Sequence, residues 1–222
     1  MTDSLYDYSK LNLKTIKDKQ YKHIFLFLGW VWYLVMFALT ERFIPIEKCH
    51  VVHCRVDDLI PFVEQFVIMY CFWYVLLIFS VLYFFFYDVE SFKGFQIYII
   101  VTQVVAIIVY IVWPSVQMMR PVSFERNNIF TWILGVLYAV DTPTGVCPSL
   151  HVAYSMAIAS AWLKRKQSRI VTKVFITVAV ILICMSVNFV KQHSFVDVVA
   201  AIPVCILAEI VAYWKSYWTK KL

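Results

Sequence analysis

Charged residues are scarce in this sequence, making up 15% of its 222 residues against 62% hydrophobic ones. A soluble globular domain carries about 25% charged residues, with no more than about half of its residues apolar. The shortage excludes a sizeable soluble module, and a mean hydropathy of +0.75 is typical of packed membrane helices. We therefore predict an all-α polytopic membrane protein with one membrane-embedded domain over residues 23–222.

The sequence also lacks the features of a cleavable signal peptide and a continuous basic face. Residues 1–22 form a polar arm, and the apolar run that follows it is too long for a signal peptide and has no small-residue cleavage site. We therefore expect no cleavable signal. The net charge of +6 does not gather along one polar face, because the basic residues lie between apolar segments. That placement argues against a nucleic-acid partner and indicates membrane topology signals.

Six apolar segments are candidates to cross about 30 Å of hydrocarbon, which takes about 20 helical residues. We predict these crossings at residues 23–39, 60–87, 95–113, 152–163, 170–188 and 198–213. A further apolar segment, Ile129–Val140, is too short to cross. We predict that it is a short helix lying in the membrane interface.

The distribution of Lys and Arg predicts the orientation of this six-helix bundle. With six crossings, 14 of the 20 Lys and Arg residues lie on the side of the termini. Positive residues are enriched in cytoplasmic loops, so both termini and the arm are expected in the cytoplasm. The loops containing Arg120, His151 and His193 then share the outer face, as one active site would require.

Two short polar segments on that face suggest chemistry. Pro148-Ser149-Leu150-His151 precedes one apolar run, and a second segment with Lys191, His193 and Asp197 precedes another. Two imidazoles that titrate near neutral pH can act as nucleophile and general acid. Asp197 follows His193 by four residues and lies on the same face of a helical turn, where it can orient the imidazole.

The same loops offer ligands for a phosphate group. Arg120 can present a planar fork to two phosphate oxygens. Ser149 can donate its hydroxyl, and a helix beginning near it would point its first N–H groups and its dipole at the same anion. Phosphoryl transfer needs such donors around the phosphate together with an in-line nucleophile and a proton donor for the leaving oxygen.

These segments resemble the type 2 phosphatidic acid phosphatase superfamily, whose signature has three parts. Arg120-Pro121 matches the first part, and Pro148-Ser149-Leu150-His151 matches the second. Ser186, His193 and Asp197 match the third. The resemblance covers most of the chain and includes the six-crossing layout.

The resemblance implies a metal-independent lipid phosphatase without a cofactor. His193 would form a phosphohistidine, Asp197 would be its partner, and His151 would protonate the leaving alkoxide. Arg120 and Ser149 would bind phosphate. The implied substrates are phosphatidic acid, phosphatidylglycerol phosphate or a polyprenyl pyrophosphate, so the expected partners are lipid phosphates and membrane lipids.

The chain departs from the family pattern at two cations. Trp113 stands where the first part has Lys, and Val187 stands where the third part has Arg. We expect Lys191 to replace one of these phosphate ligands. The Lys-Gln-His-x3-Asp pattern that begins at Lys191 is closer to the branch containing inositol phosphorylceramide and sphingomyelin synthases, which transfer a head group to an alcohol.

Three functions therefore stay open: a lipid phosphate hydrolase, a head-group transferase, and a non-catalytic lipid-binding or transport protein with an eroded site. Cys49 and Cys54, in the predicted outer loop, are open to two interpretations. They could form a disulfide in an oxidising compartment. Alternatively, they could hold zinc together with His50 and His53, although adjacent ligands suit a tetrahedral site poorly. The sequence does not indicate an oligomeric state.

Overall fold

A computed structural model of the chain describes residues 7–218, with the side chains of 215–218 left out. Residues 1–6 of the predicted arm and the lysines of the carboxyl-terminal tail lie outside this description. Eight α-helices and two short strands are present in the described part. The helices are α1 Leu28–Phe43, α2 Arg55–Leu59, α3 Val67–Tyr87, α4 Val89–Val112, α5 Ile129–Val140, α6 Leu150–Lys164, α7 Ile170–Phe189 and α8 Phe195–Trp218, and the strands are β1 His50–Val51 and β2 Ser115–Val116.

Five helical runs among residues 7–218 are long and apolar enough to cross a membrane. They are Lys19–Phe43, Glu64–Tyr87, Val89–Val112, Ile170–Phe189 and Phe195–Trp214. The first run exceeds α1 because the 3-10 segment Lys19–Phe27 leads directly into it. The prediction of a mostly helical chain with helices suited to cross a membrane is confirmed for these five, and the sixth crossing stays a prediction.

The helix missing from that set is α6, which contains the predicted crossing at residues 152–163. Its 15 residues extend about 22 Å at 1.5 Å per residue, short of the hydrocarbon thickness. It also carries His151, Ser155 and Ser160, which lower its apolar character. The structure extends the predicted segment 152–163 by two residues at its start and one at its end, and the helix stays shorter than the other five.

The centre of the bundle is formed by α4 and α6. α6 packs against α3, α4, α7 and α8, and α4 also contacts α1. Ala153, Ala157 and Ala161 recur every four residues along one face of α6 and are almost fully buried. Small side chains at this spacing let neighbouring helices approach closely. The position of α6, and of the polar turn at its start, is therefore tightly fixed.

Ion pairs hold the carboxyl-terminal end of α6. The Arg165 guanidinium lies 2.9 Å from the Asp88 carboxylate, and Lys164 pairs with Glu209 on α8. Asp88 also caps α4, because its carboxylate accepts from the Ser91 backbone N–H at 3.1 Å. Charged groups placed among apolar helices are expensive unless paired, so these contacts satisfy them locally.

The described part of the arm folds back against α3. Tyr8 donates its hydroxyl to the Phe85 carbonyl at 2.9 Å and stacks on the Phe85 ring at 5.0 Å between centroids. Tyr21 is buried and donates to the Asp7 carbonyl at 2.6 Å. Residues 7–22 therefore pack on the helical domain by aromatic contacts.

At the other end of the bundle, short elements cross over the helix ends. β1 pairs in parallel with β2, with His50 opposite Ser115. The Ser115 hydroxyl accepts from the backbone N–H groups of Val146 and Cys147 at 3.2 and 3.1 Å. These bonds fix the loop that leads into Ser149.

The predicted short helix α5 has the expected bounds, and an Asn128 capping box begins it.

Candidate active site

His193 and Asp197 meet at the start of α8. His193 Nδ1 lies 3.2 Å from Asp197 Oδ2, which also accepts from the Ser194 backbone N–H at 3.0 Å. Asp197 is fully buried and His193 is 8% exposed. The pair holds the imidazole by one nitrogen. Among residues 7–218, His193 Nε2 has no hydrogen-bond partner, so it is the nitrogen free for chemistry.

The turn that presents His193 is a Schellman motif at the end of α7. The backbone N–H of Gln192 donates to the Val187 carbonyl at 2.9 Å, and that of Lys191 donates to the Asn188 carbonyl at 3.1 Å. Lys191 takes the left-handed conformation, with φ of 51°. Glycine is usual at this position because a Cβ atom is disfavoured there. Some compensating interaction is therefore expected at Lys191.

The Lys191 ammonium supplies that interaction. It donates to the carbonyls of Asp57 and Ile60 at 2.9 and 2.6 Å. Burial lowers the pKa of this amine, an effect that the nearby Asp57 and Asp58 carboxylates counter. The structure thus places the residue predicted to bind phosphate as an anchor for the end of α2.

Asp57 is a second anchor of the same turn, which the sequence analysis did not single out. Its carboxylate accepts from the Ser194 hydroxyl at 2.6 Å and from the backbone N–H groups of Phe195 and Cys54 at 2.7 and 2.8 Å. Burial alone would raise the pKa of this carboxyl, but the hydrogen bonds outweigh it and hold the pKa below its usual value. Asp57 therefore positions the backbone on the carboxyl side of His193.

Ser149 joins the second predicted motif to the first turn of α8. It is the N-cap of α6, and its hydroxyl accepts from the Val152 N–H at 3.4 Å. Its own backbone N–H donates to the Asp197 carbonyl at 3.1 Å. The start of α6 and the start of α8 are therefore bonded together. This contact brings His151 close to His193.

His151 lies in an aromatic slot on α3. Its ring centroid is 4.1 Å from that of Trp73, 4.4 Å from that of Tyr70 and 6.0 Å from that of Tyr74. The His193 ring lies 5.9 Å away. His151 Nε2 is buried and has no hydrogen-bond partner among the described residues. Arg120 Nε and Asp197 Oδ1 are two further buried atoms of the same cluster without a hydrogen-bond partner among the described residues.

The Arg120 guanidinium is hydrogen-bonded to backbone carbonyls at the carboxyl-terminal end of α5. Its Nη1 donates to the carbonyls of Tyr138 and Asp141 at 3.3 and 2.7 Å, and its Nη2 donates to the Thr142 carbonyl at 3.2 Å and to Gln192. The guanidinium also lies over the Tyr138 ring. The cation is fixed beside the His193 turn. Within residues 7–218, its buried Nε makes no hydrogen bond.

Three residues that carried no predicted role complete the cluster: Tyr70, Asp141 and Gln192. Asp141 Oδ2 lies 3.3 Å from the Tyr70 hydroxyl and 3.2 Å from Gln192 Nε2. Burial raises the pKa of the Asp141 carboxyl, while the charge of Arg120 opposes the rise. An acidic residue directly after an apolar helix was the available sequence signal, since such groups are costly near a membrane.

The two positions that lack the family cations have apolar surroundings. Val187 is fully buried in a cluster with Val67, Leu134 and Val152. Trp113 stacks on the His50 ring at 5.1 Å between centroids, beside β1. Neither side chain supplies a positive charge to the site.

The loop cysteines are free thiols in the structure. Cys49 and Cys54 are not bonded to each other, and Cys54 is the N-cap residue of α2, with its backbone N–H donating to the Asp57 carboxylate at 2.8 Å. No group of three or more His, Cys, Asp or Glu side chains suited to a metal ion occurs among residues 7–218. Of the two interpretations of this loop, the structure shows neither a disulfide nor a zinc ligand set.

Comparisons of the chain with family models, with curated proteins and with solved structures found no match.

The site therefore combines three chemical capacities in one place. His193 offers a nucleophilic nitrogen oriented by a buried carboxylate, and His151 offers a second imidazole on the facing helix. Arg120 and the amino-terminal end of α6 supply positive potential. These elements come from chain segments far apart in sequence, joined by the Ser149 contact with Asp197.

Proposed function

We propose that the protein is an integral membrane enzyme that removes or transfers the phosphoryl group of a lipid through a phosphohistidine at His193. The observation that carries this proposal is the orientation of His193. Its Nδ1 is held by the fully buried Asp197 carboxylate, which leaves Nε2 as the free nitrogen. An imidazole held in this way is suited to nucleophilic attack.

In the first proposed step, His193 Nε2 attacks phosphorus while the bond from phosphorus to the leaving oxygen breaks. His151 gives its proton to that oxygen, and Asp197 stabilises the positive charge that develops on His193. In the second step, His151 takes a proton from water as the water oxygen attacks the phosphohistidine. Inorganic phosphate leaves and His193 is restored. Arg120, Ser149 and the start of α6 stabilise the phosphoryl oxygens, and the reaction needs no metal ion.

The membrane arrangement is part of the proposal. We assign α6 as the sixth crossing, because it is enclosed by α3, α4, α7 and α8. The Lys and Arg distribution favours cytoplasmic termini and a site at the outer face. For α5, a row of exposed apolar side chains supports an interfacial position. They are Ile129, Trp132, Val136 and Val140.

The first candidate substrates are phosphomonoester or pyrophosphate lipids, namely phosphatidic acid, phosphatidylglycerol phosphate or a polyprenyl pyrophosphate. Head-group transfer to an alcohol is the second candidate function. It is favoured by the low net positive charge around His193, since the Asp57 and Asp58 carboxylates lie near the Lys191 ammonium and the Asp141 carboxyl lies beside Arg120.

A phosphate-release assay on the purified full chain in detergent tests the proposal. The wild type is expected to release phosphate from at least one of these lipids and to form an acid-labile phosphoenzyme. His193→Ala should abolish both signals, with a loss on the order of 10⁴-fold or more. His53→Ala is the matched control, because His53 is an exposed histidine paired with Asp58 and should keep full activity.

Addition of diacylglycerol or another alcohol separates the two candidates. A hydrolase yields inorganic phosphate whatever the acceptor, whereas a transferase yields a new phospholipid in proportion to it. Absence of phosphate release, head-group exchange and phosphoenzyme from the wild type would refute the enzymatic proposal. Such a result would favour a lipid-binding protein.

A further inference from the structure

A carboxylate next to the phosphoryl site needs an explanation. The backbone N–H of Asp141 caps α5 by donating to the Leu137 carbonyl at 2.8 Å, a contact that does not use the side chain. Of the side-chain oxygens, Oδ2 accepts from the Tyr70 hydroxyl and from Gln192 Nε2. Within residues 7–218, Oδ1 has no hydrogen-bond partner. The side chain is thus oriented through one oxygen while the other is unused.

Asp141 is connected to each part of the proposed reaction centre. Tyr70, which donates to its carboxylate, stacks on the His151 ring at 4.4 Å. Gln192, its other donor, directly precedes His193 and also accepts from Arg120. Arg120 donates to the Asp141 backbone carbonyl at 2.7 Å. Asp141 is therefore bonded directly to Arg120 and is linked to His151 through one intervening residue, Tyr70.

The charges around the site make a phosphomonoester a poor fit. Arg120 brings one positive charge, and the carboxylates of Asp141 and Asp197 offset it. The Lys191 ammonium donates to backbone carbonyls at α2 and lies near the Asp57 and Asp58 carboxylates, which offset its charge, and Trp113 and Val187 bring no charge. A phosphomonoester would add nearly two negative charges, which like charges nearby oppose. A phosphodiester adds only one.

We propose that Asp141 Oδ1 binds a hydrogen-bond-donating group next to the phosphate, a hydroxyl or an ammonium on the substrate's head group. This inference rests on the proposed function and narrows it to its second candidate, head-group transfer from a phosphodiester lipid whose head group carries such a donor. His193 Nε2 would attack phosphorus, the bond to the diacylglycerol oxygen would break, and that oxygen would take the His151 proton. A carboxylate with one oxygen already held is well prepared to accept a charge-assisted hydrogen bond. Asp141 would then select the substrate, while His193 and His151 perform the chemistry.

Asp141→Asn tests the assignment because it keeps the shape of the side chain and removes its charge. Activity is measured on phosphodiester lipids with inositol, ethanolamine or choline head groups, and on phosphatidic acid. We expect kcat/KM to fall about 10- to 100-fold for the inositol or the ethanolamine lipid. The choline lipid and phosphatidic acid should change little. Loss with inositol identifies a hydroxyl ligand, and loss with ethanolamine identifies an ammonium ligand.

Glu90→Gln is the matched control, since Glu90 is an exposed carboxylate that pairs with Lys93 in the first turn of α4. It should leave all four activities unchanged. An equal loss of Asp141→Asn activity on every lipid, or no loss on any, would overturn the inference. So would a loss confined to phosphatidic acid, because that result would show Asp141 acting as a protonated donor to phosphate.

A binding measurement separates this inference from the proposed function. Short-chain versions of the same lipids are titrated into wild type and Asp141→Asn by calorimetry. Selective loss of binding of the donor-bearing lipids supports the inference even if the wild type turns over none of them. Equal binding by both proteins overturns it, whatever the result of the phosphate-release assay.

Discussion

Polar side chains are paired at the carboxyl-terminal end of α6, whereas one at the amino-terminal end has no hydrogen-bond partner among the described residues. At the carboxyl-terminal end, Arg165 pairs with Asp88 and Lys164 pairs with Glu209. At the amino-terminal end, His151 Nε2 is buried without a hydrogen-bond partner among the described residues. Buried polar groups are normally satisfied, so the first end resembles a structural clamp. The second end retains unused bonding capacity, as the proposed reaction at His193 and His151 requires.

Lys191 shows that position near the site is not sufficient for such a role. It lies two residues before His193, yet its ammonium is satisfied by the carbonyls of Asp57 and Ile60. In this respect it resembles the cations at the far end of α6. Bonding state therefore distinguishes His151 and His193 from Lys191 more clearly than sequence distance does. Both terminal nitrogens of Arg120 also donate to protein oxygens, so its proposed action on phosphate is through its charge.

The largest expected effect is at the unsatisfied end. His151→Gln should lower phosphoryl transfer by about 10²- to 10⁴-fold, because it removes the proton donor for the leaving oxygen. The free energy of unfolding should fall by about 1 kcal/mol, because the imidazole loses its contacts with the Trp73 and Tyr70 rings but no hydrogen bond. Activity assays and thermal unfolding in detergent measure the two quantities separately. An intact rate would show that His151 is a packing residue.

An intermediate effect is expected at the paired end, in stability and not in activity. Arg165→Met leaves the Asp88 carboxylate without its cation, and these side chains are only 13% and 19% exposed. The free energy of unfolding should fall by about 2 kcal/mol, with activity per folded molecule unchanged. Lys93→Met breaks an exposed pair with Glu90 and should cost no more than about 0.5 kcal/mol. If both variants lost the same free energy of unfolding, the buried Arg165–Asp88 pair would be no more important for stability than the exposed Lys93–Glu90 pair.

The smallest effect is expected at Lys191. Lys191→Met removes two charge-assisted hydrogen bonds and keeps the left-handed backbone, so stability should fall by about 1 kcal/mol. Lys191→Gly removes the same bonds but fits that backbone, so it should lose less. If the ammonium is an anchor, KM for the lipid stays the same in both variants. A raised KM in both would instead support the phosphate-binding role predicted from sequence.

Much of the helical layout is predictable from the sequence because the long apolar runs coincide with the helices. The α5 bounds agree with the prediction, and α7 agrees to within one residue of the predicted 170–188. The count of crossings was less predictable. The polar residues of α6 shorten its apolar run, and burial among other helices, which no linear pattern displays, explains why they are tolerated.

The site was only partly predictable for a related reason. Ser149, His151, His193 and Asp197 stand in short local patterns, and the structure brings them together. Asp57 and Asp141 stand in no such pattern, because their partners are distant in sequence. Ser194 lies 137 residues from Asp57, and Tyr70 lies 71 residues from Asp141. Contacts of this kind depend on the fold and leave no periodic signal.

The Schellman turn before His193 has a consequence for where the reaction takes place. Only residues 190–194 separate α7 from α8, and both helices are long and apolar enough to cross a membrane. Under the proposed function, the depth of Nε2 is set by the length of this hairpin. A phospholipid could then present its phosphate at head-group level while its acyl chains stay in the bilayer, and substrates would be selected by the distance between phosphate and hydrocarbon.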